Sequence, residues 1–173
     1  MTRSNPIMLG PDIRVLARGR GWLFAAWQDA YVLDWQTEVS RENLDASVEG
    51  ARTLLASFPA GIATINVLHE AMPLPPADLR EYAQRKMLDS PPGVRCHATA
   101  LVERGVWASV MRAAMTGLYV FQSTPFPRRV FGETREAIAW SSSVLGHDEA
   151  WIRGVAEAVA QIAGECEPRL RSP

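Results

Sequence analysis

The sequence predicts an α/β fold: a mixed sheet that opens with a β-hairpin and continues as alternating strands and helices. Two observations carry this. Residues 61–68, Gly-Ile-Ala-Thr-Ile-Asn-Val-Leu, are almost wholly apolar and rich in β-branched side chains, the pattern of a central strand covered by helices on both faces. Around it, strand-period and helix-period segments alternate in the order ββ(β)αβαβαβα, which predicts a layered sheet whose later strands run parallel.

Residues 1–11 read as a flexible leader. Residues 12–18 alternate as a strand, Gly19-Arg20-Gly21 turns the chain, and 22–27 return as the second strand of a hairpin. Residues 31–37 either prolong that strand or form another after a turn at Gln28-Asp29. Ser40 suits a helix N-cap, with Glu42 and Asn43 in the first turn, where backbone N–H groups lack partners. Leu44, Val48, Ala51, Leu54, Leu55 and Phe58 then recur at helical spacing until Pro59 and Gly61 stop the run.

After the central strand, His69-Glu70 lead into a proline-rich turn over 71–76, and Leu79, Tyr82, Ala83 and Met87 form the stripe of a second helix, ended by Ser90-Pro91-Pro92-Gly93. Residues 94–102 are the next strand. Residues 106–121 are apolar nearly all round apart from Ser109, Arg112 and Thr116, so as a helix they are expected to be mostly buried. A loop over 122–127, a short strand at 128–131 and a helix opening at 132–140 complete a domain of residues 12–146, with Ser141-Ser142-Ser143 read as the linker that ends the helix. A separate amphipathic helix is expected over 147–166, carrying Trp151, Ile152, Val155, Val159 and Ile162 at helical spacing, followed by a frayed tail at 167–173.

With 173 residues, 47% of them hydrophobic and 21% charged, the chain has the size and composition of one globular domain with an appendage. Its net charge of -1 gives no global field that would attract nucleic acid, and Lys86 is its only lysine. Cys96 and Cys166 make no disulfide framework. The first ten residues lack the apolar run of a signal peptide and no stretch approaches the length of a membrane span, so a cytoplasmic location is expected.

The element order, together with Val130-Phe131-Gly132-Glu133-Thr134-Arg135-Glu136-Ala137-Ile138-Ala139-Trp140, resembles the STAS-like superfamily, and more narrowly its SpoIIAA-like, STAS/SEC14-type bacterial branch. There, a short strand ending in Phe leads into a helix with an Ala-x-x-Trp close. Residues 105–118 are similar to the third helix of that branch, and the resemblance spans roughly 12–145. It implies a regulatory or binding module without turnover, in bacterial signalling. The superfamily's anti-sigma-factor antagonists are switched by phosphorylation of a serine in the turn after the central strand. Here that turn holds no Ser, Thr or Tyr, so the switch does not carry over.

Candidate chemistry is sparse. In open α/β sheets ligands gather beyond the carboxyl ends of the strands, which points to the turn after residue 68. His69 and Glu70 sit there and a His beside a carboxylate can do acid–base work, but neighbours leaving a strand point to opposite faces. The same divergence separates Cys96 from His97, and with His147 distant no metal-ligand spacing exists, so no metal or cofactor is expected. There is no nucleophile elbow, Walker A sequence or dinucleotide fingerprint. Arg128 and Arg129, with Arg112 and Arg135, read either as a small anion patch or as solvated charges on an edge strand. Six tryptophans, at 22, 27, 35, 107, 140 and 151, are the most unusual feature.

Three functions follow in order of preference. The first is a non-enzymatic protein-interaction module whose surface comprises His69, Glu70, Met72, Leu74, Asp78 and Arg80, its partner an unidentified protein. The stripe Trp151, Ile152, Val155, Val159 and Ile162 then docks on its own domain or on a second copy, forming a homodimer. The second is a carrier of lipid or a small apolar ligand that uses Trp107, Met111 and Met115 as a pocket wall. The third is an enzyme built on His69 and Glu70. A flat patch at 72–80 without a sizeable cavity favours the first, an apolar cavity under the third helix the second, and a deep pocket at His69 the third.

Overall fold

A computed structural model of the chain describes residues 7–10, 12–69, 72–102, 106, 109–113, 115 and 124–170. Seven strands form one sheet in sequential order, β1 (Ile7–Met8), β2 (Ile13–Gly19), β3 (Trp22–Trp27), β4 (Ala30–Trp35), β5 (Ile62–Leu68), β6 (Val94–Leu101) and β7 (Arg128–Phe131). The first four pair antiparallel and β4 to β7 pair parallel, so β4 joins the opening hairpin to the parallel half. Ala30 to Trp35 is thus a strand of its own, turned at Gln28, which has positive φ. Residues 7 and 8, expected to be part of a loose leader, instead add an edge strand to β2.

All seven residues of β5 are buried, as its composition requires of a strand with both faces covered. On the front face lie α1 (Arg41–Leu55) and α2 (Ala77–Leu88), with Met111 and Met115 of a further helical segment. Ser40 caps α1 through a reciprocal pair: its Oγ accepts from the Asn43 N–H, and Asn43 Oδ1 accepts from the Ser40 N–H. Gly50 lets α1 come close to the sheet, because a Cβ there would collide with the Tyr31 hydroxyl.

The helical segment near 110 departs from expectation. Among its described residues only Met111 is buried and Met115 half-buried, whereas Val106, Ser109, Val110, Arg112 and Ala113 are exposed, so the segment is one-sided rather than engulfed. The remainder of 106–121 lies outside the described residues.

The back face is covered by α3 (Thr134–Leu145) and α4 (Glu149–Leu170). Small residues on β6, Ala98 and Ala100, let α3 lie close with Ala137 between, and Phe131 meets Trp140 at 5.6 Å between ring centres. The three serines expected to end this helix lie inside it. Ser141 and Ser142 are buried, and the Ser141 hydroxyl donates to the Ala137 carbonyl, which replaces the water a serine otherwise needs.

The last helix is part of this core and not an appendage. Trp151, Val155, Val159 and Ile162 are buried against β-strand residues such as Ile13, Leu23 and Val32, with Ile152 half-buried beside them. The stripe therefore docks within its own chain. Asp29 in the β3–β4 turn fixes the near end: one carboxylate oxygen pairs with His147 Nε2 at 2.7 Å, and the other accepts from the Trp151 indole N–H at 2.9 Å.

Gly154 of α4 packs so tightly on the Trp27 indole that a Cβ would overlap it. Helix propensity alone favours alanine over glycine by about 1 kcal/mol. Docking in cis reverses the sign: Gly154→Ala is expected to lower stability by about 1–2 kcal/mol through overpacking, measured by urea denaturation. A stabilised variant would contradict the docking of α4 on this sheet.

Candidate functional site

A cavity of about 220 Å³ lies between the front face of β4 to β6 and the helices above it. Its origin is local. Where α1 and α2 overhang the sheet they present Ser47, Ala51 and Ala83, side chains too short to fill the space between the layers. Leu33, Leu44, Met87, Met111 and Met115 supply apolar walls, and Met72, Leu74 and Arg80 border the cavity beside the start of α2.

The floor is polar. Register places Tyr31 beside Thr64, Thr64 beside His97 and His97 beside Arg128, an unbroken row across four parallel strands. All four side chains line the cavity. With strands spaced about 4.8 Å apart, the row runs about 14 Å. The Tyr31 hydroxyl is buried without a hydrogen-bond partner among the described residues, and burial raises its pKa further above the ordinary phenol value.

One row further along the strands, Asn66 orders the floor. The Trp35 indole N–H, which can only donate, gives its proton to Asn66 Oδ1 at 3.2 Å. The amide nitrogen of Asn66 therefore faces His97 Nε2, 2.9 Å away, and donates to it. That makes Nε2 the acceptor and leaves the imidazole proton on Nδ1. Burial, and secondarily the nearby Arg128 charge, push the His97 pKa down to about 4, so the ring is neutral at ordinary pH.

The expected site residues divide between the two faces. Met72, Leu74 and Arg80 border the cavity, with the Arg80 guanidinium donating to the Pro75 carbonyl at 2.8 Å. Asp78 turns outward and pairs with Arg41 at 3.3 Å. His69 leaves the sheet on the other side, where Nε2 lies 3.1 Å from Oδ2 of the fully buried Asp34. Glu70 and Trp107 lie outside the described residues, while Met111 and Met115 line the cavity as a pocket wall should.

The supposed arginine patch disperses. Arg128 faces the cavity, Arg129 lies over the Phe131 ring, Arg112 approaches Gly132, and Arg135 is 3.9 Å from Glu149. Cys96 and His97 do point to opposite faces. Cys96 enters the back core, where burial pushes its thiol up to about 11.

The site lies under the crossover helices rather than beyond the strand ends. Among the described residues, no three His, Cys, Asp or Glu side chains converge as metal ligands, and no helix is long and apolar enough to cross a membrane. Comparison of the chain with protein-family models, with curated proteins and with solved structures finds no match.

The depressed His97 pKa has a stability consequence. Folded His97 remains neutral down to about pH 4, whereas the unfolded side chain protonates near 6.5. Its contribution is therefore complete above pH 6.5 and declines as pH falls from 6.5 toward 4, by up to about 1.4 kcal/mol per pH unit. His97→Gln is expected to flatten the Tm-versus-pH curve across that window. An unchanged slope would contradict a buried neutral imidazole at the cavity floor.

Proposed function

We propose that this chain is a non-enzymatic binding domain that carries a small apolar ligand in the cavity between its sheet and front helices. The observation that carries the reading is the cavity itself: apolar walls, a few polar groups on its floor, and a rim beside α2 that includes the exposed Leu74. Small apolar cavities of about 150 Å³ accept a benzene-sized guest, so this one suits a single ring or a short chain.

The carrier ranks above the protein-interaction module because Met72, Leu74 and Arg80 contribute to a cavity rather than to a flat patch. It ranks above an enzyme because His69 and its Asp34 partner sit on the back face, while His97 is engaged by Asn66. Within the same proposal the domain is STAS-like. Support comes from four parallel strands in sequential order, front-face helices between them, and the Phe131–Trp140 contact that gives the strand–helix motif a packing role.

Filling the cavity separates the account from its rivals. Ala83→Phe is expected to weaken binding of benzyl alcohol, followed by saturation-transfer NMR, at least tenfold. Stability should stay level or rise by about 0.5–1 kcal/mol, because the new ring occupies empty volume. A loss of about 1–3 kcal/mol, the cost of overpacking, with binding unchanged would contradict the proposal.

A further inference from the structure

We infer that the ligand is an apolar compound with one neutral oxygen, a hydroxyl or a carbonyl, which hydrogen-bonds to the Thr64 hydroxyl on the cavity floor. The inference rests on the carrier reading above and names the ligand's chemistry.

Hydrogen-bonding capacity singles out Thr64. Other polar side chains of the cavity wall are already engaged: Ser47 donates to the Leu44 carbonyl at 2.7 Å, Arg80 donates to the Pro75 carbonyl, and Asn66 bridges Trp35 and His97. Thr64 lines the same cavity, and its hydroxyl has no hydrogen-bond partner among the described residues. Only 6% of its surface stays open, and that opening is to the cavity, because β5 is covered along its whole length. Tyr31, beside it in register, carries a second hydroxyl without a described partner, but Tyr31 is fully enclosed, with that hydroxyl under Gly50. A water held in a cavity needs about two to four polar partners. A guest whose body fills the apolar space needs only one, and a hydroxyl can either donate to it or accept from it.

The neutrality of the group follows from the same surroundings. One hydroxyl cannot offset the cost of taking a full charge out of water. Among the described residues, the cations that border the cavity have partners of their own. Lys86 is paired with Asp45 at 2.6 Å, Arg80 is held by Pro75, and Arg128 has the Met87 sulfur at 3.1 Å among its partners. Arg128 also stands two strands from Thr64, about 10 Å along the row, with His97 between them. His97 has its Nε2 taken by Asn66 and its ring uncharged, so it supplies no counter-ion.

NMR titration of the intact chain with benzyl alcohol, toluene and benzoate tests this. In the unmodified chain, benzoate is expected to bind about tenfold more weakly than benzyl alcohol, or weaker still. Thr64→Val keeps the shape of the side chain and removes the hydroxyl. It should weaken benzyl alcohol about tenfold and leave toluene within about twofold, whereas Thr64→Ser, which retains the hydroxyl, should keep benzyl alcohol within about threefold. Should the valine variant fold poorly, an intermolecular NOE from the methylene protons of benzyl alcohol to the Thr64 methyl reports the same contact in the unmodified chain. If Thr64→Val changes benzyl alcohol no more than toluene, if that NOE is missing from a bound complex, or if benzoate binds as tightly as the alcohol, the assignment is overturned and the carrier reading stands. Binding by none of the three would overturn both.

Discussion

Strands β4 and β5 are buried along their whole length, and every polar side chain they carry must find its partner inside the protein. Three polar side chains on these strands or directly after them do so in different ways. Asp34 receives His69 from the end of the neighbouring strand, Asn66 bridges Trp35 and His97, and Gln36 reaches across to the Ala163 carbonyl of α4. Two fully buried atoms are exceptions among the described residues: the Asp34 Oδ1 oxygen and the Tyr31 hydroxyl, the latter held under Gly50. Most buried polar groups in folded proteins are paired, so an unpaired one beside a cavity gives the floor a reason to accept a guest.

The two faces of the sheet solve the covering problem differently. On the back, Ile138, Val155, Val159 and Ile162 interdigitate with small strand residues, and Asp29 clamps the His147–Trp151 corner, so the layer closes. On the front, α1 and α2 set small side chains opposite the middle of the sheet, and the layer stays hollow. The hollow is therefore a property of residue size at Ser47, Ala51 and Ala83. Flexible methionines at 72, 87, 111 and 115 ring the space, and unbranched thioether side chains can repack around guests of different outline.

Much of the architecture was legible in the sequence because it rests on local rules. The capped start at Ser40, the apolar run of β5 and the stripe of α4 each follow from spacing and residue type. Where the reading failed, distant partners decided the outcome. Ser141 and Ser142 look like linker residues until their hydroxyls donate hydrogen bonds to the Ala137 carbonyl inside α3 and the His147 carbonyl just beyond its end. Residues 7 and 8 look loose until β2 offers an edge. The floor row needed strand register, which sets Tyr31, Thr64, His97 and Arg128 side by side although nearly a hundred residues separate the first from the last. Sequence alone places Tyr31 and Thr64 only within strands, sets His97 beside Cys96, and leaves Arg128 either in a small anion patch or as a solvated charge on an edge strand. The methionines at 111 and 115 were the part of the site that helical spacing could reveal.

The central claim is that the front cavity is a chamber for a small molecule rather than a packing defect. Native mass spectrometry of the gently purified chain tests it most directly, since one spectrum reports both oligomer mass and retained ligand. The account predicts a monomer carrying a reproducible small adduct that benzyl alcohol displaces and that Ala83→Phe removes. A ligand-free dimer, unchanged by either treatment, would contradict it.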